Sequence, residues 1–161
     1  MLSKRVAEAL NRQVNAELWS AHLYLSISLH FSCEGLDGMA AWMRKQYSEE
    51  VEHAFKILRY MVERGARPEL GEIKPVPTQF GSALEIFTTS YEHELTVSES
   101  INGLVDISRE DRDKATEIFL GWFITEQVEE ESAACSIVEK LKRVGDGAGL
   151  FLVDRELGAR I

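Results

Sequence analysis

A glutamate and a histidine three residues apart, Glu50 and His53, are the first pair in this sequence whose spacing suggests chemistry. They lie in the segment KQYSEEVEHAF, residues 45–55, where apolar residues recur at intervals of three and four. Such intervals predict an amphipathic helix, and both side chains fall on the face that should be buried. A carboxylate and an imidazole on one buried face suggest metal binding, because both are ligands for transition metals.

Four long helices, joined as two hairpins, are predicted to carry this pair and its partners. The apolar pattern indicates long helices over about residues 4–32, 37–64, 80–107 and 111–143, and a short fifth helix over about 149–157. Short segments join the first helix to the second and the third to the fourth, where Ser108 is the predicted N-cap of the fourth helix. No alternating strand pattern competes, so the predicted fold class is all-α.

The connection between the second and third helices contains all three prolines of the chain. Its roughly 15 residues can cross about 50 Å when extended, at about 3.3 Å per residue. A helix of about 28 residues is about 42 Å long, so the connection is able to run the length of a bundle. A loop at one end of the bundle would fit the same number of residues.

Polar residues interrupt the apolar stripe of every predicted long helix near its middle. They are Glu17 in the first helix, Gln46, Glu50 and His53 in the second, Glu94 in the third, and Gln127 and Glu130 in the fourth. At 1.5 Å per residue from the short turns, the members of each hairpin agree in height to within about 10 Å. Four helices are therefore expected to present polar groups at one level of one core.

Four carboxylates buried at one level require protons or cations, since each uncompensated charge would cost several kcal/mol. No lysine or arginine occupies the middle of these stripes. Two divalent metal ions would balance the four charges, and carboxylate oxygens with one imidazole suit iron, manganese or zinc. From the residues alone, the alternative is that the acids face solvent and the stripes lie a few tens of degrees away.

Composition argues against several other classes of function. The 161 residues fit one domain, residues 1–161, and the net charge of −9 argues against a nucleic-acid partner. No apolar run reaches the roughly 18 residues of a membrane span, and the first residues do not resemble a secretory signal. The two cysteines, Cys33 and Cys135, are expected to be free thiols in a cytoplasmic protein.

The interrupted stripes resemble the motifs of the non-haem bacterial ferritins over essentially the whole chain. The matching segments are NAELWSAHLYL with Glu17, EEVEH with Glu50 and His53, YEHE with Glu94, and EQVEEE with Gln127 and Glu130. The resemblance implies a ferritin-like four-helix bundle with one long crossover and a short C-terminal fifth helix. The fourth helix lacks a second Glu-x-x-His, and Glu52 stands where a bacterioferritin has its haem-ligating methionine, so no haem is expected.

The same resemblance implies a set of iron ligands. One iron site would consist of Glu17, Glu50 and His53, and a second would use Glu50 as a bridge with Glu94 and Glu130, close to Gln127. A third site would use Glu49, Glu126, Glu129 and Glu130, although the first three of these would otherwise be interpreted as a charged helix face. Tyr24 would hydrogen-bond to the site and hold a reserve electron, and its alternative role is that of a core tyrosine.

The function implied by the resemblance is iron storage with ferroxidase activity. Two Fe²⁺ ions would each give an electron to O₂ or H₂O₂, and ferric mineral would fill a homo-oligomeric shell of 24 chains. The fifth helix would line the four-fold axes of that shell. The alternatives are a Dps-like iron protector, a di-iron oxidase of the rubrerythrin type that does not store iron, and a structural bundle without metal.

Overall fold

The computed structural model describes residues 1–159, and all regular secondary structure within that range is helical. The elements are α1 Lys4–Cys33, α2 Asp37–Glu63, α3 Ala83–Glu110, α4 Lys114–Val144 and α5 Ala148–Gly158. The helix α1 packs along α2, α3 packs along α4, and α5 packs mainly against α2. The predicted all-α class, with four long helices and a short fifth one, is confirmed. None of the described helices is both long enough and apolar enough to cross a membrane.

The segment between α2 and α3 runs along the side of α1 rather than folding back as an end loop. Asn11 accepts a hydrogen bond from the backbone N–H of Glu69 at 3.0 Å. Further along α1, Asn15 accepts one from the Gly71 N–H at 3.1 Å, and Ser26 donates one to the Pro77 carbonyl at 2.8 Å. Residue numbers increase in the same direction along α1 and along this segment. The segment is therefore a crossover that joins the two hairpins.

The predicted N-cap of the fourth helix at Ser108 is wrong. Ser108 lies inside α3, is fully buried, and donates its hydroxyl to the Val105 carbonyl at 2.7 Å. The cap of α4 is Asp113, whose carboxylate accepts the Thr116 N–H at 3.1 Å. Two nitrogens of Arg64 also donate to the Asp113 carboxylate, Nη1 to Oδ1 at 3.1 Å and Nη2 to Oδ2 at 3.0 Å. A capping carboxylate that is held by an ion pair thus fixes the start of α4 at Lys114, not at residue 111.

The start of the third helix also differs from the prediction. It begins at Ala83, not at residue 80, because Ser82 is an N-cap with a complete capping box. The Ser82 hydroxyl accepts the Glu85 N–H at 3.3 Å, and the Glu85 carboxylate accepts the Ser82 N–H at 2.7 Å. The helix then continues to Glu110, beyond the predicted end at residue 107.

Two apolar clusters fill the core, one toward each end of the bundle. The first includes the largest buried side chains near the α1–α2 turn: Tyr24, Phe31, Trp42, Met43 and Phe87. The second lies toward the α3–α4 turn and includes Leu10, Ile57, Met61, Leu120 and Phe123. Along every long helix the buried glutamates fall between the two clusters, as do Gln46, His53 and Gln127. The core therefore contains a polar layer enclosed by apolar side chains on both sides.

Helix α5 is attached to the first turn of α2 through two glycines and an aspartate. Leu36, the N-cap of α2, makes no side-chain capping bond, and the Met39 N–H instead donates to Asp154 Oδ1 of α5 at 2.7 Å. A Cβ at Gly38 would lie 1.7 Å from the backbone carbonyl oxygen of Asp154, and one at Gly158 would lie 3.0 Å from the Cα of Gly38. The two helices therefore approach as closely as they do only because both positions lack side chains.

Replacing Gly38 with alanine is expected to detach α5, because the new methyl group cannot share space with the α5 backbone. The free energy of unfolding should fall by about 1–3 kcal/mol, the range for overpacking a tight contact. Urea unfolding measures this, and limited proteolysis should cut at residues 145–149 sooner than in the wild type. The control is Gly103→Ala on α3, where a Cβ meets no atom within 4 Å. It should leave stability unchanged or raise it by up to about 1 kcal/mol. Equal loss in both variants would contradict the close contact.

Candidate metal centre

The centre of the polar layer contains two carboxylates and an imidazole, contributed by α1 and α2. Glu17, Glu50 and His53 each offer one ligand atom, and these three atoms all lie within 4.8 Å of one another. His53 Nδ1 is 3.4 Å from Glu50 Oε2 and 3.9 Å from Glu17 Oε2. The three side chains are buried, with 1%, 2% and 5% of their residue surface exposed. Among the described residues this is the one group of three that has ligand geometry for a metal ion.

Two oxygens of this group have no hydrogen-bond partner. They are Glu17 Oε2 and Glu50 Oε2, the same atoms that approach His53 Nδ1. No other fully buried side-chain nitrogen or oxygen within residues 1–159 is left unpaired. An unpaired buried carboxylate oxygen costs about 1–3 kcal/mol or more, so native structures rarely keep one without a reason. A cation between the two oxygens and the imidazole would satisfy both.

Burial makes these carboxylates hold protons when no cation is present. Desolvation, followed by the charge of Glu50, raises the pKa of Glu17 well above its ordinary value. Desolvation raises the pKa of Glu50 well above its ordinary value too, with the charges of Glu94 and Glu130 adding to the effect. Glu50 is thus close enough to Glu17, Glu94 and Glu130 for the negative charges to repel. A metal ion would replace the protons and remove the repulsion.

The carboxylate of Glu94, from α3, is held through both of its oxygens. The Tyr24 hydroxyl donates a hydrogen bond to Glu94 Oε1, and Gln127 Nε2 donates one to Glu94 Oε2 at 3.1 Å. Burial, followed by the charge of Glu94, raises the pKa of Tyr24 well above its ordinary value, which keeps the phenol protonated as a donor. The structure thus brings Tyr24, Glu94 and Gln127 together in an arrangement that fixes the Glu94 carboxylate.

Glutamine amides hold two further carboxylates, and one of these amides was not recognised in the sequence. Gln46 Nε2 donates to Glu130 Oε2 at 2.7 Å, and Gln13 Nε2 donates to Glu17 Oε1 at 2.8 Å. Gln13 is itself oriented by the Ser100 hydroxyl, which donates to its Oε1 at 2.6 Å. Gln46 interrupts a predicted stripe, but Gln13 lies one turn before Glu17 beside the stripe. Its signal was the spacing of four residues from a buried acid.

Aromatic rings hold the imidazole of His53 from the side of α4. Its ring centroid is 5.5 Å from that of Trp122 and 5.9 Å from that of Phe123, both in edge-to-face geometry. The Lys56 ammonium lies over the ring of Trp122, 4.0 Å from its centroid. Edge-to-face packing restricts rotation of the imidazole. Nδ1 of His53 is therefore held toward the two unpaired oxygens.

The acids predicted to form a third ion site lie at the edge of the polar layer. Glu49 and Glu126 are half-buried and Glu129 is exposed. Glu49 pairs with Lys45 at 3.6 Å, and its charge contributes to the raised pKa values of Glu50 and Glu130. Glu49 is thus close to the centre. In the described part of the chain these acids do not form a second compact ligand group. Their binding of an ion stays a prediction.

The fold and this side-chain set together define a four-helix bundle with a carboxylate-rich metal centre between its helices. Residues 7–144 match a family described as Ferritin: Ferritin-like domain. The chain belongs to the ferritin family, which supports iron storage as its general function.

Relatives with similarity over the full length refine this placement. The chain is 47% identical over 160 residues to a bacterial non-heme ferritin of Bacteroides fragilis (strain 638R), covering 99% of this chain and 100% of the relative. It is 42% identical over 156 residues to the bacterial non-heme ferritin of Campylobacter jejuni, covering 96% and 93%. An open pore ferritin from the hyperthermophilic archaeon Archaeoglobus fulgidus superimposes with a TM-score of 0.98 at 43% identity, covering 100% and 99%. The predicted resemblance to non-haem bacterial ferritins is confirmed.

The stability of the metal-free protein is expected to fall as the pH rises. Burial raises the pKa of Glu130 to about 7, so the folded chain binds this proton more tightly than the unfolded chain does. The contribution of this proton to stability is fully present below a pH of about 4.5 and is lost as the pH rises through 7. The shift corresponds to roughly 3 kcal/mol. Urea unfolding at a series of pH values, with constant protein concentration and a chelator present, measures this decrease in the free energy of unfolding.

Glu130→Gln is the matched control for that pH dependence, since it keeps the side-chain size and removes the proton equilibrium. The variant should show a smaller decrease in the free energy of unfolding between pH 5 and pH 8. Saturating Zn²⁺ should reduce the decrease in the wild type, because the ion stabilises the charged carboxylates. An identical decrease in wild type and variant would show that Glu130 does not carry the effect.

Proposed function

We propose that this protein is a ferroxidase that stores iron, oxidising Fe²⁺ at a di-iron centre within each chain. The observation that carries the proposal is the pair of unpaired buried oxygens, Glu17 Oε2 and Glu50 Oε2, which both approach His53 Nδ1. Two oxygens and one nitrogen from hard or borderline ligands suit Fe²⁺, and the absence of a thiolate from this group argues against softer ions. Membership of the ferritin family supports iron as the metal.

The first iron would bind to Glu17, Glu50 and His53. The second would bind to Glu94 and Glu130, share Glu50 with the first, and lie near Gln127. The charge of each of Glu94 and Glu130 acts on Glu50, which supports their closeness to the bridging position. Hydrogen bonds from Tyr24, Gln127 and Gln46 would orient the carboxylates before iron arrives.

The two Fe²⁺ ions are substrates, and each loses one electron. O₂ takes the two electrons with two protons and becomes H₂O₂, or H₂O₂ takes them with two protons and becomes two waters. Carboxylate oxygens favour the Fe³⁺ product. The neutral amide of Gln127 and the sharing of Glu50 reduce the negative charge available to each Fe³⁺. The products can therefore leave for the mineral store.

Three further acids and one tyrosine have proposed supporting roles. Glu49, Glu126 and Glu129, together with Glu130, would hold a third iron on its way from the centre. Tyr24 would provide an additional electron when the oxidant requires more than the iron supplies. Its hydroxyl already donates to Glu94, which is a proton acceptor at the required place.

The storage function requires many copies of the chain. Phe151 and Leu152 of α5 are 66% and 70% exposed, and Leu29 of α1 is 61% exposed, so apolar surface is available for contacts between chains. We propose a homo-oligomeric shell of 24 chains in the cytoplasm, with α5 around the four-fold axes. Iron ions and O₂ or H₂O₂ would be its partners, and neither haem, nucleic acid nor membrane is part of the proposal.

Removing two ligands of the first iron is expected to abolish fast oxidation. In the double variant Glu50→Ala with His53→Ala, stopped-flow absorbance after mixing with Fe²⁺ in air should show a rate at least about 100-fold lower, because even supporting partners of metal ligands change affinity or activity 10–100-fold. Glu52→Ala removes an exposed acid from the same helix turn and should retain the wild-type rate. Wild-type oxidation by the double variant would overturn the assignment of the site.

The mass of the native particle distinguishes the storage function from its rivals. A shell of 24 chains of 18.2 kDa has a mass of about 440 kDa. Light scattering should give this value. A particle of about 220 kDa would favour a twelve-chain Dps-like protector, and a dimer would favour a di-iron oxidase that does not store iron. Either result would contradict the proposed shell.

A further inference from the structure

A small cavity lies between α3 and α4. Of the residues assigned to the di-iron centre, only Gln127 lines it. It has a volume of about 100 Å³. Its lining is polar at Ser98, Asn102, Gln127 and Glu131, and apolar at Ile101, Ile124 and Val128. Gln127 connects it to the metal centre, whereas Asn102 is exposed at its outer side. The cavity therefore extends from the surface of the bundle to the edge of the polar layer.

Hydrogen bonds join the polar residues of this cavity in an unbroken series. The Ser98 hydroxyl donates to Glu131 Oε1. Gln127 Nε2 donates to Ser98 Oγ at 3.3 Å and to Glu94 Oε2 at 3.1 Å. A half-buried carboxylate on the outside is thus linked through a hydroxyl and an amide to a carboxylate of the centre. The side chain of Gln127 therefore lines the cavity and also contacts Glu94.

We propose that this cavity is an access route by which hydrated Fe²⁺ reaches the metal centre, with Glu131 as the residue that attracts and first binds the cation. The inference rests on the proposed ferroxidase function. Glu131 has no part in the di-iron centre or in the third ion site. Its role here is to bind substrate before oxidation.

The size and lining of the cavity suit a cation that has lost part of its water. A water occupies about 30 Å³ of liquid volume, so about 100 Å³ holds roughly three waters. An Fe²⁺ ion with six waters must therefore exchange about half of them for protein oxygens. The Ser98 hydroxyl, the Gln127 amide oxygen and the Glu131 carboxylate are the groups available for this. Ile101 is buried, so the inner wall of the cavity has a low dielectric constant and strengthens the field of the Glu131 charge there.

The acids of the α3–α4 turn are less suited to attract cations, because arginines neutralise them. Arg5 pairs with Glu110 at 2.5 Å and with Asp111 at 3.5 Å. The pairs Arg64–Asp113 and Arg109–Asp106 lie at 3.0 Å and 3.8 Å. Glu131, in contrast, accepts a hydrogen bond from a neutral hydroxyl, and no cationic side chain within residues 1–159 forms an ion pair with it. No ion pair among the described residues therefore offsets its negative charge.

The test measures the initial rate of Fe²⁺ oxidation in air over a range of Fe²⁺ concentrations. Glu131→Gln should lower the rate at low Fe²⁺ by roughly three- to tenfold, a modest part of the 10–10³-fold effect of electrostatic steering. The deficit should narrow as Fe²⁺ rises and as salt is added, because both reduce the benefit of attraction. The control is Glu99→Gln, which removes one exposed charge from the turn of α3 beside Ser98 without lining the cavity. Equal effects of the two substitutions would overturn the proposal.

A second substitution tests the path independently of charge. Asn102→Trp places a large side chain at the outer side of the cavity and should slow oxidation at low Fe²⁺, whereas Asn102→Ala should not. Circular dichroism and the native mass establish that both variants fold and assemble. Wild-type rates in the tryptophan variant would show that iron arrives by another path.

Failure of this route and failure of the proposed function give different results. If the double variant of Glu50 and His53 oxidises iron like the wild type, the centre itself is wrongly assigned. If that variant is inactive while Glu131→Gln behaves like Glu99→Gln, only the access route fails. Binding of Co²⁺ provides a readout without oxidation: Glu131→Gln should slow its arrival while the number of ions bound per chain stays the same. A lower number would mean that Glu131 is a ligand of the centre instead.

Discussion

Four carboxyl groups from four helices meet in the middle of the core, where both desolvation and mutual repulsion oppose folding. They are Glu17, Glu50, Glu94 and Glu130. The apolar clusters on either side supply the burial that offsets this cost, and they also exclude water that would screen the charges. The metal-free chain must therefore hold protons in this layer, and the proposed iron ions would replace them. Much of the remaining architecture positions this layer.

The neutral groups around the carboxylates determine where a cation can bind. Amides of Gln13 and Gln46 and the phenol of Tyr24 each donate to one carboxylate oxygen. None of these groups carries a positive charge, so each fixes geometry without neutralising the acid. Glu17 Oε2 and Glu50 Oε2 have no such donor and are left free to contact a metal ion. A lysine or arginine would both orient a carboxylate and neutralise its charge. These neutral donors only orient it, so the negative charge of the centre remains available to iron.

The sequence predicted the polar layer because helical periodicity relates distant residues to one height. Glu17, Glu50 and Glu94 could be found in this way, since a buried acid stands out against an apolar stripe. Details that depend on contacts between helices could not be found from helical periodicity. The cap at Asp113 depends on Arg64 from another helix as well as on its own neighbours, and Gln13 lies beside the stripe, where a glutamine attracts no notice. Most of the fold and the buried acids of the polar layer were predictable, whereas the residues that support them depend on contacts between helices.

The bond between Asp154 and the Met39 N–H has a consequence for the order in which the chain folds. The two residues are 115 positions apart, so this contact closes a long loop and should form late. Until it forms, the first turn of α2 lacks a side-chain cap, although the same helix carries Glu50 and His53 in its middle. A chain emerging from the ribosome would have the proposed iron ligands before that end of α2 is secured. The maturation of the proposed metal centre is therefore tied to α5.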